Sequence, residues 1–359
     1  MEFVKQTSPY IRKEDSNTKR MMIDVLIALS PVVIFAFYRF GWDAVIRLAL
    51  NLVIMIGLEA VAFGMMHKAK GNTRKEKLKS RFQTYTINNV TAPAVSAVIY
   101  TMVIPSKLPI YAVVVGAVFA IVVVKMLFGG LGSNIFNIAA AGRRFISIAL
   151  AGMFASAYAD VDMVAGATAL SALKSGAGFP DVLNSYPISD LFFGFIPGTM
   201  GEVSAIPILI GLAYLLIRKT ADYRIVLSTA LTFLVLISLV GIFKYDDNWF
   251  NFVLYNLFSG GLLFGVTFMA TDPVTAPVTR PGRLIYGLII GTFVVLIRTW
   301  GSYAEGVASS LLFANIFVPL IDYPSWAKNK YTWKFAGIFA GVFVLIAVFV
   351  SLAAGGVFA

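Results

Sequence analysis

Thr168 ends a run of small residues that could carry a covalently attached group. Thr168 supplies a hydroxyl as acceptor, and Asp162 places a carboxylate at the start of the run Asp162-Met163-Val164-Ala165-Gly166-Ala167-Thr168. Gly166 and Ala167 leave the backbone open to a second molecule, because Gly has no side chain in the way. Gly-Ala-Thr in an Ala-rich segment also forms tight helix contacts and turns. The run alone therefore leaves two interpretations, a modified hydroxyl or a packing element.

Three further ionisable groups lie in or beside apolar segments, where charge is costly and usually tied to function. Arg143 stands in mid-segment, where an unpaired guanidinium costs at least about 2.5 kcal/mol, so it needs a partner. Glu202 follows Thr199 with the spacing of a capping box, which predicts a cap for a half-helix. The alternative is that Glu202 binds a cation or proton. Asp272 is a second candidate for such an ion path.

Composition indicates a membrane protein. The 359 residues are 59% hydrophobic and 13% charged, and several apolar runs reach the roughly 20 residues needed to cross a bilayer as helix. The formal charge of +11 follows from Lys and Arg in short loops on one side, so no nucleic-acid partner is expected. The chain has no Cys and one His, His67, which excludes an iron-sulfur cluster or thiol pair held by this chain alone. Any redox centre must be organic.

The charge pattern predicts the orientation and the division of the chain. Residues 1–20 are polar and assigned to the cytoplasm, and the basic loop at residues 67–82 lies on the same side. Five crossings then place a segment carrying Thr168 outside the cytoplasm. The predicted regions are a first membrane repeat at 21–153, an extracytoplasmic segment at 154–189, a second repeat at 190–322, and a basic loop with an additional transmembrane helix at 323–359.

Glycine-rich interruptions recur in both halves. The stretch from Phe128 to Asn137 should break a helix, and Pro197-Gly198 and Ser259-Gly260-Gly261 interrupt the second half. Non-helical backbone at membrane depth survives where protein or a cavity satisfies it. Matching broken segments indicate internal repeats with a site near their interface. The predicted fold is an all-α polytopic membrane protein with ten core helices in two inverted five-helix repeats containing broken or re-entrant segments, plus one C-terminal helix. Glu59, inside the second apolar run, is assigned to helix packing or capping.

Several of these segments resemble the NqrB and RnfD family. Thr168 ends the flavin attachment pattern D-x-x-[ST]-G-A-T, with Ala165 where the family usually has Ser or Thr. The other matches are Gly129 to Phe145 with F-G-G-x-G-x-N-x-x-N-x-A-x-x-G-R-x-F, 194–204 with G-x-x-P-G-S-x-G-E-x-S, 269–275 with M-A-T-D-P-V-[ST], and 315–322 with N-x-x-x-P-L-I-D. The resemblance covers about residues 8 to 323.

The resemblance implies a covalent flavin. A dedicated flavin transferase would esterify Thr168 with the phosphate of FMN, and Asp162, Gly166 and Ala167 would complete the cofactor site. Arg143 would stabilise negative charge on the reduced ring or, alternatively, bind carbonyls of broken helix ends, with Arg144 pointing elsewhere. A second, non-covalent flavin such as riboflavin is compatible with the family, although no motif marks its site. The implied fold is similar to that of urea channels.

The resemblance implies a subunit of a redox-driven, ion-translocating oxidoreductase, without a complete active site in this chain. The start Ser8-Pro9-Tyr10-Ile11-Arg12 favours the Rnf type, a ferredoxin:NAD oxidoreductase that moves Na⁺ or H⁺. The alternatives are the NqrB subunit of a Na⁺-translocating NADH:quinone reductase, a urea-channel-like solute transporter, or a passive scaffold. Because the chain lacks a G-x-G-x-x-G loop, NAD must bind another subunit. The expected partners are the other membrane and peripheral subunits in the cytoplasmic membrane of a bacterium or archaeon.

Overall fold

The computed structural model describes residues 18–70, 72–158, 168–175, 178–303, 306–323, 327 and 329–357. Within these residues the regular structure is helical, apart from one antiparallel bridge between Pro105 and Thr199. The α-helices are α1 Thr18–Phe40, α2 Trp42–Met66, α3 Arg74–Arg81, α4 Asn88–Met102, α5 Ile110–Val118, α6 Ile138–Ala149, α7 Ala151–Ala155, α8 Ala169–Lys174, α9 Phe179–Ser185, α10 Ile188–Phe193, α11 Ala205–Ile217, α12 Tyr223–Tyr245, α13 Trp249–Phe258, α14 Leu262–Phe264, α15 Arg280–Thr299, α16 Val307–Ile321 and α17 Trp333–Ala354.

Five of these helices, α1, α2, α12, α15 and α17, are long and apolar enough to cross a bilayer. A sixth candidate is α13 together with Leu262–Met269, which is bent by 55° at the break. Shorter apolar segments cover Ile110–Met126, Ala205–Ile217 and Val307–Ile321. These helices confirm a multi-pass helical membrane protein. Ten crossings in two inverted repeats stay a prediction, because several of the expected crossings are short or interrupted helices whose span cannot be assigned from length.

The predicted broken segments are present in both halves, and each lies beside a π-helix. Phe119–Met126 is π-helical, and the chain then runs without helix to Asn137, with Gly129, Gly130 and Gly132 at φ of 113°, 88° and 84°. In the second half, Gly260 and Gly261 have φ of 67° and 69°, and the π-helix Gly265–Met269 follows. These angles favour Gly, because a Cβ disfavours the left-handed region. π-helical turns are frequent at functional sites.

Buried amides tie the two broken segments together. The Asn137 N–H donates to Asn315 Oδ1 at 3.1 Å, and Asn137 Nδ2 donates to the Met269 carbonyl at 3.2 Å. Asn315 Nδ2 in turn donates to the Thr275 carbonyl at 3.2 Å. Asn137 also begins α6, since its Oδ1 accepts from the Ala140 N–H at 3.0 Å. The backbone freed by the glycines is therefore satisfied by side chains, as membrane depth requires.

Close helix packing positions the rest of the core. α12 and α15 pack along their lengths, and α15 presents Gly287 and Gly291 to Ser228 and Thr232 of α12. A Cβ on either glycine would lie within 2.8 Å of α12 side-chain atoms, so small residues set this separation. α1 packs on α4 and α11, and α6 packs on α4 and α16. α17 contacts α12 and α15 and is otherwise largely exposed, as expected for a helix facing lipid.

The basic segment at 67–82 contains the short helix α3, where the sequence indicated a loop. Thr73 caps it, and Glu76 completes a capping box by accepting the N–H of Thr73 at 3.2 Å. The N–H groups of Asn72 and then Thr73 lower the pKa of the Glu76 carboxyl. None of the residues of α3 is buried, so its lysines and arginines face the surroundings.

Candidate functional site

Thr168 is the N-cap of α8. Its side-chain oxygen accepts from the Ser171 N–H at 3.3 Å, and its hydroxyl lies 2.9 Å from Ser171 Oγ. The residue is 9% exposed, and α8 is held in place by the Tyr255 hydroxyl, which donates to the Ala169 carbonyl at 2.8 Å. Asp162, Gly166 and Ala167 lie outside the described residues, so their part in the site stays a prediction. The geometry of the site therefore begins at the acceptor hydroxyl itself.

A cavity with about 920 Å³ of empty space, part of it open to the surroundings, borders Thr168; we call it the Thr168 cavity. Cofactor pockets typically have about 300–1,000 Å³ and a few polar groups on largely apolar walls. Here the walls come from α6, α7, the start of α8 and α16. The side chains that matter for chemistry are those of Arg143, Arg144, Phe154, Tyr158, Thr168 and Tyr303.

Both arginines of α6 line the Thr168 cavity, contrary to the expectation that Arg144 points elsewhere. Successive helical residues differ by about 100° in direction, which long side chains can span. The Arg144 guanidinium carbon lies 3.8 Å from the centroid of the Tyr303 ring, a cation–π contact. Tyr303 is thereby held as an aromatic wall. Phe154 and Tyr158 add an edge-to-face ring pair with centroids 5.9 Å apart.

Arg143 is buried and forms an ion pair with Glu202, with 3.5 Å between Nη2 and Oε2. The sequence singled out both residues but did not predict that they meet, because 59 residues separate them along the chain. Glu202 and Thr168 also border a smaller space on the other side of Thr168, together with Thr199 and Gly260. Thr168 therefore lies between a wall carrying two arginines and a wall carrying a carboxylate.

The capping-box prediction for Thr199 and Glu202 is wrong. The two side chains do bond, with the Thr199 hydroxyl donating to Glu202 Oε2 at 2.6 Å, but they stand in a turn and α11 begins later, at Ala205. The backbone of this turn is held by the end of α4, because the Gly201 N–H donates to the Met102 carbonyl at 2.7 Å. Glu202 is thus fixed by its own turn and by Arg143.

A second cavity, with about 800 Å³ of empty space, lies where the broken segments meet; we call it the Asp272 cavity. Asp272, Lys125, Asn134 and Asn137 are among its polar lining residues. Asp272 accepts the Val274 N–H at 3.1 Å and the Thr275 hydroxyl at 3.2 Å, so its carboxylate is held by a tight turn. Asp272 and Glu202 line separate cavities, and the structure does not bring them into one site.

Lys125 is a residue that the sequence analysis missed. It lies in the π-helix Phe119–Met126 and pairs with Glu59 of α2, and both side chains are 1% exposed. The signal was available, since a lysine and a glutamate inside separate apolar runs each need a partner. The assignment of Glu59 to packing or capping is therefore too narrow, because the residue is half of a buried ion pair that borders the Asp272 cavity through Lys125.

The described residues contain no group of three or more His, Cys, Asp or Glu side chains arranged to hold a metal ion. The site therefore offers a hydroxyl, two guanidinium groups, a paired carboxylate and aromatic rings. This set suits an organic, negatively charged cofactor. Two guanidinium groups beside a hydroxyl fit a phosphate ester, because arginine binds phosphate oxygens through several N–H donors.

Comparison with known proteins gives consistent matches along the chain. A family model described as NQR2, RnfD, RnfE family matches residues 4–331. A Na(+)-translocating NADH-quinone reductase subunit from Chromohalobacter salexigens, of the type called NqrB, is 39% identical over 238 residues, 64% of this chain and 57% of that protein. The same subunit from Ectopseudomonas mendocina is 31% identical over 355 residues, 89% of this chain and 87% of that protein. That from Haemophilus influenzae is 31% identical over 358 residues, 86% and 84%.

These matches bear on the choice between the two subunit types. The chain spans less than two thirds of the Chromohalobacter protein and more than four fifths of the other two. All three relatives carry the name of the quinone reductase subunit, so the comparisons favour the NqrB alternative over the Rnf interpretation drawn from the N-terminal residues. The matched range includes Arg143, Thr168, Glu202 and Asp272.

Proposed function

The chain belongs to the NQR2, RnfD, RnfE family, and on this basis we propose that it is the flavin-bearing membrane subunit of a Na⁺-translocating NADH:quinone reductase complex. The names of its relatives support the complex, and the Thr168 cavity supports the flavin. The chain supplies no nucleotide-binding loop of the G-x-G-x-x-G type, so NADH would bind another subunit. Its partners would be the other membrane and peripheral subunits, together with the flavin transferase.

The observation that carries the proposal is the position of the Thr168 hydroxyl on the wall of a cofactor-sized cavity with Arg143 and Arg144. FMN esterified to Thr168 would supply reversible electron transfer there. Thr168 would contribute the ester oxygen, and the two guanidinium groups would attract the negative charges of the phosphate and ring. Tyr303, held under Arg144, and the Phe154–Tyr158 pair offer apolar faces for a planar ring.

Arg143 also links the cofactor site to a candidate ion-binding carboxylate. It lines the Thr168 cavity and pairs with Glu202, so a negative charge in the cavity and the Glu202 carboxylate share one cation. Asp272 remains a second candidate, inside its own polar cavity. We propose Glu202 and Asp272 as the groups through which this chain binds a translocated cation. A non-covalent second flavin also belongs to the family's expected cofactors, without a residue set assigned to it.

The Rnf-type subunit is the second candidate, supported by Ser8 to Arg12, which lie outside the described residues. Both candidates require a covalent flavin, whereas a urea-channel-like transporter or a passive scaffold does not. We expect the protein, purified from cells that possess the flavin transferase, to keep flavin absorbance after denaturation in SDS and removal of small molecules. A colourless denatured chain from such cells would favour transport or a scaffold role.

The orientation of the chain can be tested by cysteine labelling, since no native Cys must be removed. Ser175, exposed at the end of α8, should react as Ser175→Cys with a membrane-impermeant maleimide added outside intact cells. The control is Lys75→Cys in α3, which should react only after the membrane is opened. Labelling of Ser175→Cys from the cytoplasmic side alone would contradict both the predicted extracytoplasmic segment 154–189 and the external flavin.

A further inference from the structure

A third cavity lies on the other face of α8 from Thr168, and nothing in the proposed redox role uses it. It is bounded by α8, the end of α12, α13 and the end of α15, with about 990 Å³ of empty space, part of it open to the surroundings. We call it the Lys244 cavity. Leu170 and Lys174 of α8 line it, so it is separated from the Thr168 cavity by one short helix.

Three cations line the Lys244 cavity, namely Lys174, Lys244 and Arg298, and its described lining residues include no Asp or Glu. Arg298 is 6% exposed and Lys174 is partly buried. Like charges gathered in partly desolvated surroundings repel, and the repulsion is relieved when an anion enters. The cavity is thus electrostatically suited to an anionic ligand.

The two buried cations hold neutral groups. The Lys174 ammonium donates to the carbonyls of Ile297, Gly301 and Tyr303, at the end of α15. The Arg298 guanidinium donates to the carbonyls of Asn256, Ser259 and Gly260, at the end of α13. Carbonyls at helix ends satisfy the N–H donors but offer only partial negative charge. Both cations therefore retain most of their positive potential toward the cavity.

Burial lowers the pKa of the Lys174 ammonium, and the positive charge of Arg298 lowers it further. This direction is what cations produce when they face one another across a space without a carboxylate. It agrees with the charge distribution that the lining residues show.

Two further groups on the wall can bind a ligand directly. Lys244 is exposed, and its ammonium lies 5.5 Å from the centroid of the Trp300 ring, a contact that leaves its N–H donors available. The Thr299 hydroxyl is buried and has no hydrogen-bond partner among the described residues. An unsatisfied buried hydroxyl is costly unless a ligand or water completes it. Lys244 and Thr299 thus provide donors beside the two buried cations.

We propose that the Lys244 cavity binds a phosphate-bearing anion, with Lys244 and Thr299 as direct ligands and with Lys174 and Arg298 supplying the positive potential. Tyr245, Trp249 and Trp300 cluster at the same helix ends, as aromatic residues do at a membrane interface. That position favours the head group of an anionic phospholipid. Free phosphate has the same chemistry and is distinguished by the test. The proposal does not depend on a flavin at Thr168.

The test measures the thermal unfolding of the purified complex with three additions: phosphatidylglycerol, phosphatidylcholine, and inorganic phosphate against chloride at matched ionic strength. We expect phosphatidylglycerol to raise the Tm by several degrees relative to phosphatidylcholine, and Lys244→Gln to remove at least half of that rise. Thr299→Val should also reduce it. Lys244→Arg should preserve it, because the positive charge remains. The exposed Lys334→Gln, on α17, is the matched control and should respond like the unchanged protein.

The outcomes separate the sources of the anion. A rise with inorganic phosphate alone, lost in Lys244→Gln, would assign the cavity to free phosphate and would still support the proposal. An equal response of the unchanged protein and Lys244→Gln, or no response to either phosphate source, would overturn it. The three cations would then serve only to hold helix ends and the surface. Because Lys244 is exposed, Lys244→Gln is expected to fold.

Discussion

Lys125→Met is expected to destabilise the protein by about 3–5 kcal/mol, the usual effect of breaking a buried ion pair by removing one partner. Lys125 and Glu59 are each 1% exposed, so the substitution leaves a carboxylate in the protein interior without its cation. The loss can be measured by unfolding in mixed micelles of increasing SDS content. Lys125→Met combined with Glu59→Gln should recover much of the stability, because replacing both charges removes the uncompensated group.

The matched control is Lys107→Met. Lys107 also pairs with an acidic residue of α2, Asp43, at 2.8 Å, but these side chains are 41% and 31% exposed. Exposed pairs contribute roughly 0–1 kcal/mol, so this substitution should have little effect. If Lys125→Met were no more destabilising than Lys107→Met, or if Glu59→Gln failed to compensate for it, the buried pair would not have the structural weight assigned to it.

Arg143→Gln is expected to lower the midpoint potential of a flavin on Thr168 while leaving its attachment intact. The substitution removes a cation from the Thr168 cavity and leaves the Glu202 carboxylate without that partner, and both changes disfavour added negative charge. One unit charge at a few ångströms and an effective dielectric of about 20 corresponds to about 3 kcal/mol, or on the order of 50 mV for a two-electron couple. Redox titration of the visible absorbance measures the shift.

Glu202→Gln supplies the opposite sign. Without the carboxylate, the full charge of Arg143 acts on the cavity, so the midpoint potential should rise by tens of millivolts, on the order of the fall in Arg143→Gln. Opposite shifts from two neutral substitutions at one ion pair would not arise from general loosening of the structure. Unchanged potentials in well-assembled variants would assign Arg143 and Glu202 to structure alone.

The class of protein and its broken segments could be predicted from local patterns. Long apolar runs indicated membrane helices, and Gly129 to Gly132 and Gly260-Gly261 indicated breaks, because these features act within a few residues. The number of crossings could not be fixed in the same way. Interrupted segments such as Ile110–Met126 can be full spans or half-helices, and length alone does not decide between them.

The pairing of charges was the part that the sequence did not provide. Lys125 with Glu59 and Arg143 with Glu202 are contacts between distant helices and turns, set by packing rather than by local spacing. The need for partners was predictable from the cost of charge in a membrane, but their identity was not. The spacing of Thr199 and Glu202 was misleading, since the same side-chain bond forms in a tight turn as in a capping box. Arg144 was underestimated because a helical periodicity ignores the reach of a long side chain.

The central claim is that Thr168 carries FMN through a phosphoester bond, and the most direct measurement is mass spectrometry of the peptide that contains it. Protein purified from cells that possess the flavin transferase should yield this peptide with the mass of FMN added and water lost, with fragment ions that assign the addition to Thr168. Thr168→Val should yield the unmodified peptide, and Ser171→Ala, which keeps the acceptor, should remain modified. An unmodified Thr168 peptide from the unchanged protein, or a flavin on another residue, would contradict the account.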